Sequence, residues 1–215
     1  MSLRGRRSRL IVVIGLVLAG VLAAALVMRT SMLRAAGRAL VVDEAVDSVD
    51  AIVVPQWAGA AGVVDAADLV RAGIARRVML LPEPSRPVEQ ELARRGVPYV
   101  NGSASLVRLF SDLGVTCVEV IPEPAAGTEA EGRVLLDWCD ERRLRSIVVV
   151  SSPDHSRRLR RVLHRELRNS STKVIVRSAR YAPFNPDDWW KTRDGQRTEI
   201  VELEKLVLDV VRHPI

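Results

Sequence analysis

Cysteine, histidine and aromatic side chains are scarce here: two, three and eight of 215 residues. Cys117 and Cys139 show no C-x-x-C spacing and have no histidine cluster beside them, which excludes the common zinc and dithiol motifs; no metal site and no bound cofactor are expected. The two thiols read as buried structural cysteines, which could pair only outside a reducing compartment. Acidic residues are missing from the first 40 positions, while Arg4, Arg6, Arg7, Arg9, Arg29, Arg34 and Arg38 all fall there. Of the formal charge of +6, these seven leave −1 for the rest of the chain. A nucleic-acid-binding face needs clustered positive charge on the folded part, so nucleic acid is excluded as a partner.

What the chain does have is one long apolar run. Leu10 to Met28 carries no charge over nineteen residues, enough to cross a bilayer core, and four arginines precede it. A cleavable signal has a shorter apolar region and a small-residue cleavage site, so an uncleaved single-pass anchor is expected. Arginines flank both ends, and the α-amine tips the positive-inside rule towards a cytoplasmic N-terminus. That places residues 40 onward outside the cytoplasm, at the plasma membrane, with the lipid bilayer as a partner. The chain divides into a basic flank (1–9), the anchor (10–28), a linker (29–46) and a folded domain (47–212).

From Asp50 on, short apolar runs alternate with helical patterns. Strands are expected at 50–54, 77–81, 97–100, 116–121, 146–150 and 173–177. Helices are expected at 63–72, 88–95, 103–113, 129–142, 156–168 and 199–212, several of them closed by glycine. In the last helix Ile200, Leu203, Leu206, Val207 and Val210 form an apolar stripe that predicts a buried face. A proline-bearing aromatic loop, 181–193, precedes it. Strands separated by helices require right-handed crossovers, so the fold class is α/β: a Rossmann-like, doubly wound, mostly parallel sheet of five to six strands behind one transmembrane helix.

The most loaded stretch is Ser146 to Arg161, S-I-V-V-V-S-S-P-D-H-S-R-R-L-R-R. Four β-branched residues in succession suit a strand covered on both faces, and the loop after it falls at the carboxyl edge of the sheet, where open α/β folds bind ligands. Ser151, Ser152 and Asp154 lie where a helix begins. Its first-turn amides, with Arg157 and Arg158, make a site for a phosphate-sized anion, and His155 adds a titratable group. The alternative is a plain helix cap with solvated arginines. Thr128 and Glu131 open another helix in capping-box spacing.

Four segments in order, the Ser-Pro-x-His-x-x-Arg strand and loop, I-P-E-P-A-A-G-T-E-A-E (121–131), A-A-D-L-V-R-A-G-I-A-R-R-V (66–78) and D-W-W-K-T-R-D-G with E-L-E-K-L (188–206), resemble the YdcF/SanA/ElyC family over roughly residues 48–210. That resemblance implies a membrane-anchored cell-envelope protein acting on a phosphorylated or nucleotide-like intermediate, such as a lipid-linked precursor of cell-wall construction. It implies His155, Glu123 and Glu131 as candidate acids and bases. Gln56, Thr128, Ser151, Ser152, Asp154, Arg157, Arg158 and Trp190 are the candidate ligand contacts. The chain departs from the family where Pro55-Gln56-Trp57-Ala58-Gly59 replaces a Leu-Gly-Gly turn and Pro82-Glu83-Pro84 replaces Ser-Gly-Gly. Two loops that bring backbone near a ligand have thus lost glycines, and a non-catalytic envelope module with a degenerate pocket is the alternative function.

Overall fold

The computed structural model describes residues 3–214, with side chains from Val13 onward. Met1, Ser2, Ile215 and the side chains of the basic flank lie outside the described residues. The elements are α1 (Leu3–Leu40), β1 (Ala51–Pro55), α2 (Gly59–Arg71), β2 (Val78–Leu81), α3 (Pro87–Arg94), α4 (Gly102–Asp112), β3 (Val118–Val120), α5 (Thr128–Arg142), β4 (Ser146–Ser151), α6 (Pro153–Glu166), β5 (Lys173–Ser178) and α7 (Arg193–Arg212).

Among the described residues the sheet has five strands in the order β3-β2-β1-β4-β5, every pairing parallel. Because parallel strands are joined by crossover helices, both faces are covered, and β1, β2 and β4 are buried at nearly every position. Along β4, Ile147 and Val149 face a core layer with Leu135, Trp138, Leu159 and Leu163 from α5 and α6, whereas Val148 and Val150 face Val63, Ala66, Leu69 and Phe110 from α2 and α4. The expected strand at 97–100 does not form: these residues are exposed and pair with no strand of the sheet, and Val97 N–H instead closes the end of α3 on Leu92 O. The order reverses between β1 and β4, and the carboxyl ends of these two strands open the crevice where doubly wound sheets take ligands.

Two segments differ from their sequence reading. Residues 29–46, set apart as a linker, continue α1 as helix to Leu40 and then run along β5. There Glu44 N–H donates to Val176 O at 3.0 Å, the Glu44 carboxylate accepts from Val176 N, and Asp43 accepts from Ser178 N. The strap covers the outer edge of β5, which would otherwise present free backbone groups. In α7 the apolar stripe does not supply the buried face. Of its five residues only Leu206 is buried, while Ile200, Val207 and Val210 are 63%, 57% and 44% exposed. The face turned inward carries Glu199, Glu202, Leu206 and Asp209; α6 meets Glu202 and Asp209 with a ladder of arginines, whereas both oxygens of buried Glu199 have no hydrogen-bond partner among the described residues. Arg158 pairs with Glu202 at 3.1 Å, and Arg161 and Arg165 pair with Asp209 at 2.6 and 3.0 Å. Charge complementarity overrides amphipathic patterning in this helix. Of the two cysteines, both free, Cys139 is buried as expected but Cys117 is exposed, since it precedes the short edge strand β3.

One helix near the N-terminus, within Val13–Leu40, is long and apolar enough to cross a membrane, and its apolar residues are exposed.

Candidate functional site

At the reversal point β1 ends in Pro55, which leads into Gln56 and Trp57, and β4 ends in Ser151, which leads into Ser152 and α6. A cleft of about 370 Å³ lies here, lined by Trp57, Glu83, Gly127, Thr128, Glu131, Ser152, Asp154, His155, Arg158, Glu202 and Lys205. A larger cavity of about 610 Å³ adjoins it on the β2 side and shares Glu83 and Gly127. The smaller cleft is the better candidate because buried polar side chains from three helices, α5, α6 and α7, converge on it.

Two helices start at its wall. The caps of α5, Gly127, and of α6, Ser152, offer no side-chain hydrogen bond to the first turn among the described residues. Gly127 reaches φ +86°, a conformation only glycine adopts without strain, and it leaves the α5 amides uncovered. Such amides carry partial positive charge and bind anions.

His155, in the first turn of α6, is 8% exposed. Its ring stands edge-on to Trp57, with centroids 4.7 Å apart. Nδ1 lies 3.1 Å from Glu202 Oε2 and 2.8 Å from Arg158 Nη2, and Nε2 lies 3.5 Å from Thr128 Oγ1. Burial pushes the imidazole below its ordinary pKa against the raising effect of Glu202, so it is neutral near pH 7. Arg158, one turn on, donates from Nη1 to Thr128 Oγ1 at 2.7 Å and from Nε and Nη2 to Glu202. Burial alone would raise Glu202, but hydrogen bonds from His155 and Lys205 and the charge of Arg158 outweigh it and bring the carboxylate down to about 2.

Glu131 behaves in the opposite way. It sits one turn into α5, 4% exposed, and burial pushes its carboxyl up to about 7 despite a 2.7 Å hydrogen bond donated by Trp57 Nε1 to Oε1. Oε2 has no hydrogen-bond partner among the described residues, although Glu131 lines the cleft. A carboxyl that is half protonated at neutral pH, with one oxygen free, can donate a hydrogen bond or a proton to a guest and take one back. Within one cleft the chain therefore has a neutral imidazole, a carboxyl half protonated near pH 7 and an always-charged guanidinium.

The structure gathers Thr128, Glu131, Ser152, Asp154, His155 and Arg158 around this cleft. Asp154 lies at its rim and is raised by burial. The other candidates lie elsewhere. Arg157 points away from the cleft and donates to Ala39 O and, at 2.9 Å, to Val41 O, which closes the carboxyl end of α1. Neighbours on a helix diverge by about 100°, which is why Arg157 and Arg158 part company. Glu123 is exposed on the loop after β3 and lines neither cavity. Ser151 is buried, with its hydroxyl on Ser152 O. Gln56 belongs to the larger cavity, where it accepts from Ser103 at 2.6 Å. Trp190 packs edge-on to Trp189, 6.0 Å away, outside the cleft. Sequence reasoning passed over Trp57, Glu202 and Lys205 as site residues. For the last two, the E-x-x-E-x-x-K spacing of 199–205 puts the three on one helix face and was the available signal, hidden by the apolar stripe beside it. Among the described residues no group of three or more His, Cys, Asp and Glu side chains is set to hold a metal ion.

No family model and no curated protein matches the chain. Among solved structures it is similar to the native structure of mycobacterial Rv1454c complexed with NADPH, at 14% identity and a TM-score of 0.29. The similarity covers 85% of this chain and 53% of that one, so this chain spans about half the length of the protein it matches.

Proposed function

We propose that this is a membrane-anchored cell-envelope protein that binds, and processes, a phosphorylated or nucleotide-like intermediate of envelope construction in the cleft between β1 and β4. The observation that carries the ligand reading is the free Oε2 of buried Glu131, set beside the uncovered amides of α5 and the guanidinium of Arg158. A phosphate oxygen accepts from all three when the carboxyl is protonated, the form that adds no repulsion and that prevails below about pH 7. The apolar N-terminal helix supports the anchor, and the resemblance to the YdcF/SanA/ElyC family supports the envelope setting. On this reading His155 and Glu131 exchange protons with the ligand, and Glu202 orients His155.

A second reading, a non-catalytic envelope module, draws on a different observation: Arg158 is already shared between Glu202 and Thr128, and Glu202 also holds His155, a network that closes without a guest. Thermal shift of the full chain in detergent, with inorganic phosphate, pyrophosphate, sugar phosphates and nucleotides as probes, tests the binding. A ligand at 100 times its Kd adds about 2.7 kcal/mol of stability. Binding with release of product, abolished by His155→Ala, supports processing; binding without turnover leaves the module; no shift from any probe refutes the phosphate reading.

A further inference from the structure

We propose that the loop 181–193 and the first turn of α7 form a second membrane contact, seated in the headgroup layer of the bilayer that α1 crosses. The proposal rests on the reading of α1 as an anchor. Arg9 and Arg29 bound the apolar run on either side. Nineteen residues at 1.5 Å span about 28 Å, close to the hydrocarbon thickness of about 30 Å, so the helix cannot slide in either direction without burying an arginine. Helix α1 continues unbroken to Leu40, so height above the hydrocarbon is counted along it. Leu33 stands about 6 Å beyond Arg29 and Gly37 about 12 Å beyond. The headgroup layer of one leaflet is about 5 to 7 Å thick.

The loop is fastened at that height. Trp189 Nε1 donates to Leu33 O at 2.7 Å, and Arg38 pairs with Asp187 at 2.7 Å. Gly37 lies so close that a Cβ there would collide with Pro186 O and, at 2.7 Å, with Trp189 Cδ1. Further along, Leu40 is buried with Phe184 and Leu206, and Arg157 holds the carbonyls of Ala39 and Val41. A helix held by the loop, by α6 and by α7 leaves no hinge between anchor and domain, so Trp189, which reaches from Leu33 O to Gly37, stays about 6 to 12 Å beyond Arg29, at the outer margin of the headgroup layer. Beside it are half-buried Trp190 and exposed Lys191 and Arg193, with Arg197 one turn further on. Tryptophan, apolar in body and polar at its N–H, concentrates at this depth. Across this face Arg29, Arg34, Arg38, Lys191, Arg193 and Arg197 outnumber Asp187, Asp188 and Asp194 by six to three, which matches anionic headgroups. The cavity lined by Asp194, Arg197, Thr198 and Val201 shares Asp154 and Glu202 with the candidate site, and so joins that site to the lipid-facing side.

The test uses the full chain in vesicles of phosphatidylethanolamine and phosphatidylglycerol, with exposed Cys117 replaced by Ser and a nitroxide attached through Thr192→Cys. Cys139, buried and with its thiol pushed up to about 12 by that burial, stays unlabelled. A second protein carries the label through Val100→Cys, on the exposed segment between α3 and α4. A water-soluble nickel chelate is expected to collide with the label at 192 several-fold less than with the label at 100, and Arg193→Glu with Arg197→Glu is expected to bring the two together. Equal collision at both labels, in protein that resists extraction by alkaline carbonate, overturns the second contact and leaves the anchor standing. Extraction by carbonate overturns the anchor and this proposal together. Shielding of 192 that persists in neutral detergent micelles points to a second copy of the chain as the occupant and also overturns the proposal.

Discussion

Replacing Glu131 by Gln removes one titration and almost nothing else, which makes it a direct measure of how strongly the fold strains this carboxyl. In the folded chain its pKa is about 7, against an ordinary value of 4.5. Between those values the folded state holds a proton that the unfolded state has released, so stability is full below about pH 4.5 and declines as pH rises to about 7. The gap is worth at most about 3 kcal/mol at 1.36 kcal/mol per pH unit. In Glu131→Gln the side-chain carbonyl would still accept from Trp57 Nε1. The unpaired amide that the substitution introduces costs about 1 to 3 kcal/mol, a loss that does not change with pH. Urea unfolding of the full chain in detergent, followed by far-ultraviolet circular dichroism, should therefore find Glu131→Gln gaining on the parent by about 2 to 3 kcal/mol between pH 5 and pH 8, whatever its standing at either one. A difference between the two proteins that is the same at both pH values would show that Glu131 is an ordinary solvated carboxylate, and the proposed acid would be lost with it.

Affinity for inorganic phosphate should fall as pH rises through about 7, as Glu131 ionises beside the bound anion, and the fall should vanish in Glu131→Gln; titration calorimetry checks both. Arg158→Ala strips a buried pair from Glu202 and is expected to cost about 3 kcal/mol in urea unfolding and at least tenfold in phosphate affinity. Arg157→Ala should leave phosphate affinity unchanged and lose about 1 to 2 kcal/mol by freeing the end of α1, visible as faster proteolysis near residue 41. Asp209→Asn breaks two arginine contacts that dock α7. Burial alone would raise Asp209, but hydrogen bonds from Arg161 and Arg165 outweigh it and lower its pKa. Its stabilisation is therefore full above about pH 4 and lost as pH falls below that, and the variant should differ most from the parent at neutral pH in the same unfolding assay.

The parallel core was legible because its signal is local: Ile147 to Val150 can only be satisfied by cover on both faces, and each crossover ends on a glycine or capped turn that the chain displays openly. The cleft was half legible for the same reason. Ser152, Asp154, His155 and Arg158 sit within one strand–loop–helix unit and Thr128 and Glu131 within one helical turn, so spacing alone brings each group to the sheet edge; the capping box expected of Thr128 and Glu131 does not form, because Gly127 caps α5 and the two side chains bond Arg158 and Trp57 instead. Three things depended on long-range pairing. The first is which of Arg157 and Arg158 turns to the cleft: helix geometry alone parts the two, but the choice is fixed by α1 docking more than a hundred residues away in sequence. The second is the recruitment of Glu202 and Lys205, carried by a helix whose apolar stripe argued for the opposite face. An arginine ladder on α6 decided which side of α7 turned inward, and a ladder is visible only once both helices are known to be neighbours. The third is the strap along β5. Residues 41–44 read as linker because they lack periodicity, yet their backbone and the carboxylates of Asp43 and Glu44 satisfy an edge that sequence alone never exposes. All three involve α1, the chain between it and β1, or the helices that pack against them. Helix α1 and the cleft are thus built from shared parts: α6 holds α1 with Arg157 and the site with Arg158, so a change that loosens α1 reaches the cleft through a single helix turn.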